Sequence, residues 1–384
     1  MLKSIRAHLH RHPEVSWQEF ETTAYIRSVL SDIPHIEILE TDLKTGLIAR
    51  LEGTHPGPCV ALRADIDAIP LVEAWESSCM SEREGVAHGC GHDFHTTCLI
   101  GAAMKLAQLR ESLKGSVVFI FQPAEETTNG AREIIRTGIF EKYNISAIFG
   151  LHNRPEIETG KVLVKSGGLM AAKINFKITV HGKGGHGSMP HQCIDPIVCA
   201  ASMVQNVLTV ASRNVDPMKA LVLSICSIHG GTPQNLVVNT VEMTGAMRWH
   251  DPEVGKRALE RLQTIIQATA ETFECRADFE IVESVPAVLN RTELEHCARQ
   301  AALTALGPDC LITSESCMAT EDFADYMQLV PGFFFWLGCR NPKETIAYPW
   351  HHTLFHVDDE ALEGGARLLA ECVHQYHQNQ TPCF

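Results

Sequence analysis

The chain has 384 residues, 45% of them hydrophobic, which is enough for two domains with sizeable buried cores. Its formal net charge is -14 and no stretch is rich in lysine or arginine, so the composition gives no reason to expect nucleic acid or an anionic membrane as a partner. No apolar run approaches the roughly 18 residues that indicate a membrane-spanning helix.

The N-terminal segment and the cysteines bear on the cellular compartment. The first twenty residues are polar and lack the apolar core of a signal peptide. The 14 cysteines are scattered singly, without a Cys-x-x-Cys pair, which is typical of thiols that stay reduced. Most of them, such as Cys59, Cys199 and Cys226, are expected to be small buried core residues. The sequence therefore predicts a cytoplasmic protein.

Strand-like and helix-like segments alternate through the first half of the chain. Alternation of this kind, with strands that are apolar throughout, is typical of a mostly parallel α/β sheet covered by helices on both faces. Apolar spacing and β-branched runs predict helices over 14–31, 97–115 and 131–140 and strands over 59–65, 116–126 and 145–153.

From about residue 172 the pattern changes. Residues 172–182 alternate between polar and apolar, as a half-exposed antiparallel strand does. Asp195 and Pro196 then begin a predicted helix as cap and first helical residue, and a β-α-β-β-α-β order follows, which is that of a ferredoxin-like unit. The sequence thus predicts a larger domain in two parts, 1–171 and 285–384, and an inserted α+β domain over 172–284.

Polar and titratable side chains follow four of the predicted strands. In open α/β sheets, ligands bind at the carboxyl ends of the strands, so residues at these positions meet at one edge. Each residue alone is typical of a solvated face or a satisfied polar group, but their convergence favours a functional site. The fourth strand is the apolar run "GFFFWLG" (332–338). The residues are Asp65 and Asp67, Glu125 and Glu126, His152, and the late histidines His351, His352 and His356.

The loop "HGCGHDFH" (88–95) lies at the same edge, before a predicted long helix. Imidazole, thiolate and carboxylate together are ligands for zinc, manganese or a similar divalent metal. Cys90 and His92 can reach one site from a loop, whereas residues two apart on a helix would diverge. Asp93 is predicted to cap the helix that follows, and His88 and His95 have no assigned role.

Two adjacent glutamates, 125 and 126, suit a metal-dependent hydrolase because one can bind metal while the other accepts a proton from water. A first alternative makes Cys90 a nucleophile activated by His92, with an aspartate as orienter. It leaves the glutamate pair and the later histidines without roles. A second alternative is a non-catalytic metal-binding protein, but binding alone does not require a free base.

Together these motifs resemble the amidohydrolase branch of the aminoacylase and carboxypeptidase-type dinuclear metallopeptidase superfamily. That branch includes hippurate hydrolases, indole-acetyl-amino-acid hydrolases and N-acyl-amino-acid amidohydrolases. The matching segments cover nearly the whole chain and are "LHRHPEVSWQE" (9–19), "LRADIDAIP" (62–70), "HGCGHDFHT" (88–96), "FQPAEE" (121–126), "GLHN" (150–153), "GKGGHGSMPH" (182–191), "GGTPQNLVVN" (230–239), "GAMR" (245–248) and "ATEDFADY" (319–326).

The resemblance implies a general acid/base at Glu125 and a bridging metal ligand at Cys90, where much of the wider superfamily has aspartate. It also implies that Asp65 orients a metal-bound histidine. In those relatives a histidine ligand stands two residues earlier, but this chain has Arg63 there, so His92 supplies the imidazole instead. The implied metal ligands are Cys90, His92, Glu126, His152 and His351.

The last ligand and the inserted domain carry further implications of the resemblance. The C-terminal ligand motif commonly reads His-x-Pro, whereas this chain has Thr353, so His352 stays an alternative to His351. The inserted domain resembles a lid that often also dimerises. There His186 matches a histidine that contacts the substrate carbonyl oxygen or carboxylate, in some relatives from the partner subunit. Asn235 and Arg248 match residues near the substrate carboxylate.

The function implied is hydrolysis of an N-acyl amino acid, with an acetyl, benzoyl, indole-acetyl or similar acyl group, to a carboxylic acid and a free amino acid. Two divalent ions (zinc, manganese, cobalt or nickel) lower the pKa of a bridging water, and Glu125 carries its proton to the leaving nitrogen. A dipeptidase or carboxypeptidase of the same superfamily is the alternative. The expected partners are the small-molecule substrate and a second copy of the chain, bound through the lid.

Overall fold

The computed structural model describes residues 1–231 and 234–379, so Thr232 and Pro233 of the motif at 230–239 lie outside the described residues. The first elements are α1 (Leu2–Arg11), α2 (Phe20–Ser31), β1 (Ile36–Leu39), β2 (Leu47–Glu52), β3 (His55–Asp65), β4 (Ile69–Pro70), β5 (Val86–Ala87), α3 (His92–Gln108), β6 (Lys114–Gln122), α4 (Gly130–Arg136), α5 (Ile139–Lys142), β7 (Ile145–Glu158) and β8 (Val162–Leu163).

The middle and last elements follow in chain order. The middle ones are β9 (Gly167–Met170), β10 (Ala172–His181), β11 (Gly185–His186), α6 (Pro196–Arg213), β12 (Leu221–His229), β13 (Leu236–Val237), β14 (Thr240–Trp249), α7 (Pro252–Thr272) and β15 (Arg276–Val285). The last ones are β16 (Val288–Asn290), α8 (Thr292–Leu306), β17 (Leu311–Ile312), α9 (Phe323–Tyr326), β18 (Gly332–Arg340) and α10 (Ala361–Asn379). No helix in the described ranges is long and apolar enough to span a membrane.

The described residues form two compact units. The second unit comprises Gly168–Val288 and Ser316–Glu321, and the first contains the described residues on either side of these segments. The inserted domain predicted over 172–284 lies within Gly168–Val288. Residues 316–321 join the second unit through backbone pairing, since Met170 bridges Cys317 and the Ala171 N–H donates to the carbonyl of Ala319 at 2.9 Å.

The first unit is built on a sheet of eight strands in the order β1-β2-β6-β3-β7-β18-β8-β17. Its centre is parallel: Ala61 of β3 lies opposite Val118 of β6 and Ile148 of β7, and β18 continues the parallel set beside β7. These strands are buried on both faces, which explains their uninterrupted apolar sequences. Helices α1, α3, α8 and α10 share the core of one face. On the other face Phe323 of α9 packs on Phe334, with ring centroids 4.6 Å apart. The predicted mostly parallel α/β fold is confirmed.

The second unit contains a four-stranded antiparallel sheet in the order β12-β14-β10-β15, with α6 and α7 packed on one face. Strand β10 alternates strictly between buried and half-buried residues, as its sequence predicts. Asp195 caps α6 as predicted, because its side chain accepts a hydrogen bond from the Ile197 N–H at 2.9 Å. The chain order of these elements is β-α-β-β-α-β.

Three of the local predictions that differ from the structure concern α2, α3 and Cys226. The helix predicted from residue 14 begins only at Phe20, because Val15 bridges Ala68 and the Glu14 carboxylate accepts the Thr22 N–H at 2.7 Å. The helix predicted over 97–115 is α3, which begins five residues earlier, at His92, and ends at Gln108. Cys226 is exposed rather than buried, since it shares the outward face of β12 with the exposed residues at 222 and 224.

Candidate metal centre

The predicted metal ligands of the first unit come together at one end of the parallel strands. Strand β7 carries His152, and the turn after β6 carries Glu126. Cys90 occupies the turn that leads into α3, and His92 is the first residue of that helix. His351 lies in the loop between β18 and α10. The edge of the sheet at which parallel strands end thus collects the thiol, the imidazoles and the carboxylates.

Two groups of candidate ligand atoms share Cys90. One group contains Cys90, His92 and His152, and the other contains Cys90, Glu126 and His351; within each group the atoms all lie within 4.8 Å of one another. The sulfur of Cys90 is 3.5 Å from His152 Nε2, and His351 Nε2 is 3.2 Å from Glu126 Oε1. One thiolate between two sets of donors is the arrangement that a bridging ligand requires.

His92 has the bonding pattern of a metal ligand. Its Nδ1 is 3.1 Å from Asp67 Oδ1, whereas its buried Nε2 has no hydrogen-bond partner within the described part of the chain. That nitrogen lies 3.8 Å from oxygens of both Asp65 and Glu126. Burial lowers the pKa of His92, but Asp65, Asp67 and Glu126 outweigh this effect and raise the pKa to about 10. The surroundings therefore favour positive charge at this point, which a divalent ion would supply.

His152 is held as a neutral imidazole with one nitrogen free to bind metal. Its Nδ1 donates to the backbone carbonyl of Asn153 at 2.8 Å, which leaves the lone pair of Nε2 facing the Cys90 sulfur. Burial and the neighbouring His95 lower the pKa of His152 well below its ordinary value. Only the neutral imidazole can coordinate a metal, so the site keeps this ring in the required form.

The surroundings of Cys90 disfavour the cysteine-nucleophile alternative. Burial raises the pKa of the Cys90 thiol well above its ordinary value, and the carboxylates of Glu126, Glu125 and Asp65 raise it further. A nucleophilic cysteine needs a lowered pKa, because the thiolate is the reactive form. Here the thiol stays protonated unless a cation lies beside it, and a coordinating metal deprotonates a thiol outright.

The glutamate pair is held by a strained turn. Glu125 and Glu126 begin a short 3₁₀ segment, and the preceding Ala124 has a left-handed backbone with φ of +53°. Two carboxylates fix this turn: Glu19 accepts the Ala124 N–H at 2.8 Å, and Asp67 accepts the Glu126 N–H at 3.1 Å. Such strain persists at functional sites because the surrounding contacts impose it. Glu125 is buried and lies with Glu126 and His92 in a third group within 4.8 Å.

The carboxylate that hydrogen-bonds His92 belongs to Asp67, so an orienting role of Asp65 toward a metal-bound histidine stays a prediction. The carboxylate of Asp65 instead accepts from Arg63 Nη1 at 2.8 Å and from His95 Nδ1 at 2.6 Å. Burial raises the pKa of Asp65, but His92, His95 and Arg63 outweigh it and hold the pKa well below the ordinary value. Both nitrogens of His95 are engaged, since its Nε2 accepts from Asn153, so this ring is not disposed to bind metal.

Among the described residues, neither Asp93 nor His88 belongs to a group of candidate metal ligands. Asp93 does not cap α3, because the helix already begins at His92 and no side chain caps it. Its buried carboxylate lies 3.0 Å from Arg6 Nε and 2.8 Å from His10 Nδ1. His88 is buried, and burial lowers its pKa to about 4, so it is a neutral ring.

The structure places His351, and not His352, beside Glu126. His351 adopts a left-handed backbone with φ of +63°, and its N–H donates to the carbonyl of Gly89 at 2.9 Å. His352 Nδ1 accepts the Leu354 N–H at 3.0 Å, and its ring stacks on Tyr348 with centroids 5.0 Å apart. The left-handed backbone thus directs His351, and not His352, toward the candidate ligand group that also contains Cys90 and Glu126.

The three predicted substrate contacts belong to the second unit. His186 of β11 accepts the Ser188 N–H on Nδ1 at 3.2 Å, which leaves the ring proton of the neutral form on Nε2 as an exposed donor. Asn235 lies beside it, since its carbonyl accepts the Gly187 N–H at 2.9 Å. Arg248 of β14 donates to the carbonyl of Met318 at 2.5 Å. Their contacts with substrate stay predictions.

Residues 61–375 match peptidase family M20/M25/M40. An N-acetylcysteine deacetylase from Bacillus subtilis is 40% identical over 371 residues, which cover 96% of this chain and 95% of that protein. The chain belongs to peptidase family M20/M25/M40. An IAA-amino acid hydrolase from Arabidopsis thaliana is 34% identical over 376 residues, which cover 97% of this chain and 86% of that protein.

A solved M20 structure agrees with the fold. It is a dinuclear metal-binding peptidase from Bacillus subtilis, 37% identical with a TM-score of 0.86, and the match covers 98% of this chain and 97% of that chain. The predicted resemblance to the amidohydrolase branch is confirmed. The M20 chain described here is an enzyme, a metal-dependent amidohydrolase whose cofactors are two divalent metal ions.

Two residues of this M20 site gained their roles only from the structure. Asp67 joins the ring of His92 to the backbone of Glu126, and Asn153 contacts several elements of the site. Both stand inside motifs that the sequence singles out, "LRADIDAIP" and "GLHN". Their membership of those motifs was the available signal, but the residue types alone do not show which side chain bonds which ligand.

Proposed function

We propose that the protein hydrolyses N-acyl amino acids to a carboxylic acid and a free amino acid. In this proposal Cys90, His92 and His152 would hold one divalent ion, and Cys90, Glu126 and His351 would hold the other. The observation that carries it is the sharing of Cys90 by two ligand groups, with a further buried carboxylate, Glu125, beside them. The chemistry of this donor set fits metal, because it combines a thiol, imidazoles and a carboxylate.

Bound divalent metals would supply Lewis acidity, which makes water more acidic and an amide carbonyl more electrophilic. The protein's own contribution begins with Glu125, which accepts a proton from the attacking water and passes it to the leaving nitrogen. Glu125 suits this task because neither of the two groups that share Cys90 includes it. His186 donates from Nε2 to the oxygen of the former carbonyl as negative charge develops there.

A cavity beside the candidate ligands supports an apolar acyl group as part of the substrate. It has a volume of about 510 Å³ and is lined by four polar residues together with apolar residues of the first unit; the polar ones are Ser16, Glu126, Thr127 and His351. Those apolar residues are Val15, Ala68, Ile69, Pro70 and Leu71. The names of the relatives include both an acetyl and an indole-acetyl type of substrate. The cavity has room for benzoyl or indole-acetyl groups as well as for acetyl.

We expect activity to depend on metal and to favour N-acyl amino acids over dipeptides. The purified protein would be stripped by a chelator and reloaded separately with zinc, manganese, cobalt or nickel. Turnover would then be measured on N-acetyl, N-benzoyl and indole-acetyl amino acids and on dipeptides. The thiolate favours zinc and the carboxylate also suits manganese, so we expect recovery with one of these two. Activity that survives chelation, or dipeptides cleaved faster than every acyl amino acid, would contradict the proposal.

We also propose that the protein forms a homodimer through the second unit. Large apolar side chains are exposed there on α6, on β12 and on β15, the latter two being edge strands of the four-stranded sheet. Exposed apolar residues at unpaired strand edges are typical of an interface. Sedimentation equilibrium should give about twice the chain mass of 42.4 kDa. A charged substitution on the edge strand that forms the contact, at Val222 of β12 or at Val282 of β15, should halve this mass. A monomeric wild type would refute this assembly.

We place the enzyme in the cytoplasm, where its substrates and metals would reach it under reducing conditions. Every cysteine in the described residues is a free thiol, including the partly exposed Cys79 and Cys193. Thiols of this number persist in reducing compartments.

A further inference from the structure

We propose that Asn153 is a positioning residue that holds the Cys90 turn, His152 and the His351 loop in one arrangement. The proposal rests on the metal ligands assigned under the proposed function and adds to them the residue that aligns them. Asn153 is fully buried and directly follows His152 on strand β7.

The side-chain amide of Asn153 contacts two other segments of the site. Its Nδ2 donates to the backbone carbonyl of Cys90 at 2.6 Å and lies 2.9 Å from His95 Nε2. Its Oδ1 accepts the indole N–H of Trp350 at 3.1 Å, and Trp350 directly precedes His351. One amide therefore joins the segment of the bridging ligand to the segment of the last ligand, which belong to distant parts of the chain.

The backbone of Asn153 sets the proton positions of two imidazoles. Its N–H donates to His95 Nε2 at 2.9 Å, so the proton of His95 lies on Nδ1 and points to Asp65. Its carbonyl accepts from His152 Nδ1 at 2.8 Å, so His152 presents the lone pair of Nε2 toward Cys90. Partners of this kind fix the tautomer and the direction of a metal-binding histidine.

The Cys90 turn is shaped to admit this amide. Gly91 has a left-handed backbone with φ of +85°, and a Cβ added there would lie 2.4 Å from Asn153 Nδ2. Only glycine therefore allows Nδ2 to reach the Cys90 carbonyl. To bond both the Cys90 carbonyl and the Trp350 indole, the side chain at position 153 must be short and must carry a donor and an acceptor. The amide nitrogen and the amide oxygen of asparagine provide these two groups.

The test replaces Asn153 by leucine, which has nearly the same size and no hydrogen-bonding group. The matched control is Asn290→Leu. Asn290 is also a buried asparagine of the first unit whose amide bonds only backbone, donating to Lys165 and Phe334 carbonyls and accepting the Phe334 N–H at 2.7 Å. Both variants lose a buried amide, but of the two only the Asn153 amide contacts the segments that carry the candidate ligands Cys90 and His351.

Binding of zinc and of cobalt would be titrated on metal-free protein, and the thiolate-to-cobalt charge-transfer absorption would report on Cys90. We expect Asn153→Leu to bind metal about 10- to 100-fold more weakly, with a weaker charge-transfer band. Asn290→Leu should bind metal with wild-type affinity, even if its thermal unfolding temperature falls as much as that of Asn153→Leu. Wild-type affinity in Asn153→Leu, or equal loss in both variants, would overturn the proposal.

A second variant covers the case in which Asn153→Leu does not fold. Trp350→Phe removes the indole N–H, which both Oδ1 and the backbone carbonyl of Asn153 accept, together with one ring of the side chain. It should therefore weaken at least one of the two binding steps. Two unchanged steps would overturn the role of Asn153 in holding the His351 loop. Failure of the proposed function is distinguishable, because the metal-loaded wild type would then leave N-acyl amino acids uncleaved, whereas the metal titrations of the variants would still report on Asn153.

Discussion

Glu125→Gln should lower kcat on N-acyl amino acids by about 10²- to 10⁴-fold while both metal ions stay bound. The substitution keeps the shape of the side chain but removes the group that accepts the proton of water. Glu125 is buried beside His92 and Glu126, yet it belongs to neither group that shares Cys90, so its loss should leave metal affinity intact. Steady-state turnover and metal content, measured on the same sample of Glu125→Gln, test whether kcat falls while both ions stay bound.

The matched control is Glu126→Gln, the neighbouring carboxylate on the same turn. Its Oε1 is 3.2 Å from His351 Nε2, so this variant should lose metal at the site that His351 shares. The two variants thus separate a proton-transfer role from a ligand role within one dipeptide. Wild-type turnover by fully metal-loaded Glu125→Gln would show that the mechanism is wrong.

Cys90→Ala should abolish the binding of two metal ions and reduce activity to background. The reason is that Cys90 is the member common to both ligand groups, so its removal takes one ligand from each ion. Cys90→Asp should restore two-metal binding and part of the activity, because a carboxylate can also bridge two ions. Metal content and kcat/KM of the two variants would be compared after reloading with the same ion.

The pair of variants also separates the metal enzyme from a cysteine nucleophile. If Cys90 were a nucleophile, the Cys90→Asp variant would be as inactive as the Cys90→Ala variant. The metal content of the two variants would then have no effect on their activity. The raised pKa of the Cys90 thiol already argues against that mechanism, since burial and three carboxylates oppose the thiolate. An active Cys90→Ala protein without metal would contradict the assignment of Cys90 as a ligand.

Much of the fold follows from local pattern. The apolar runs of β3, β6, β7 and β18 are buried on both faces, and the strict alternation of β10 matches its one-sided burial. These patterns report how many faces of a strand lie against other elements, and that is a local property of the sequence. The start of α2 was not predictable in this way, because contacts of Glu14 and Val15 with other residues hold the chain out of the helix.

For the metal site, too, some features were predictable from the sequence and others were not. The kinds of side chain in the motifs, and the strand ends at which they stand, were sufficient to predict a metal-dependent hydrolase and to name candidate ligands. The sequence did not predict which aspartate hydrogen-bonds which histidine, because Asp65 and Asp67 are chemically identical and only two residues apart. Only the positions of β3 and α3 decide that Asp67 bonds His92 and that Asp65 bonds His95.

The residue types and their order along the chain were thus enough to establish the family, the α/β architecture and the metal chemistry, because these depend on composition and spacing. Tertiary structure alone decided that His351 rather than His352 lies beside Glu126, through a left-handed backbone at φ of +63°. It alone also brought the Asn153 amide to the Cys90 carbonyl and to Trp350. Hydrogen bonds between distant segments depend on angstrom distances, which no local pattern encodes.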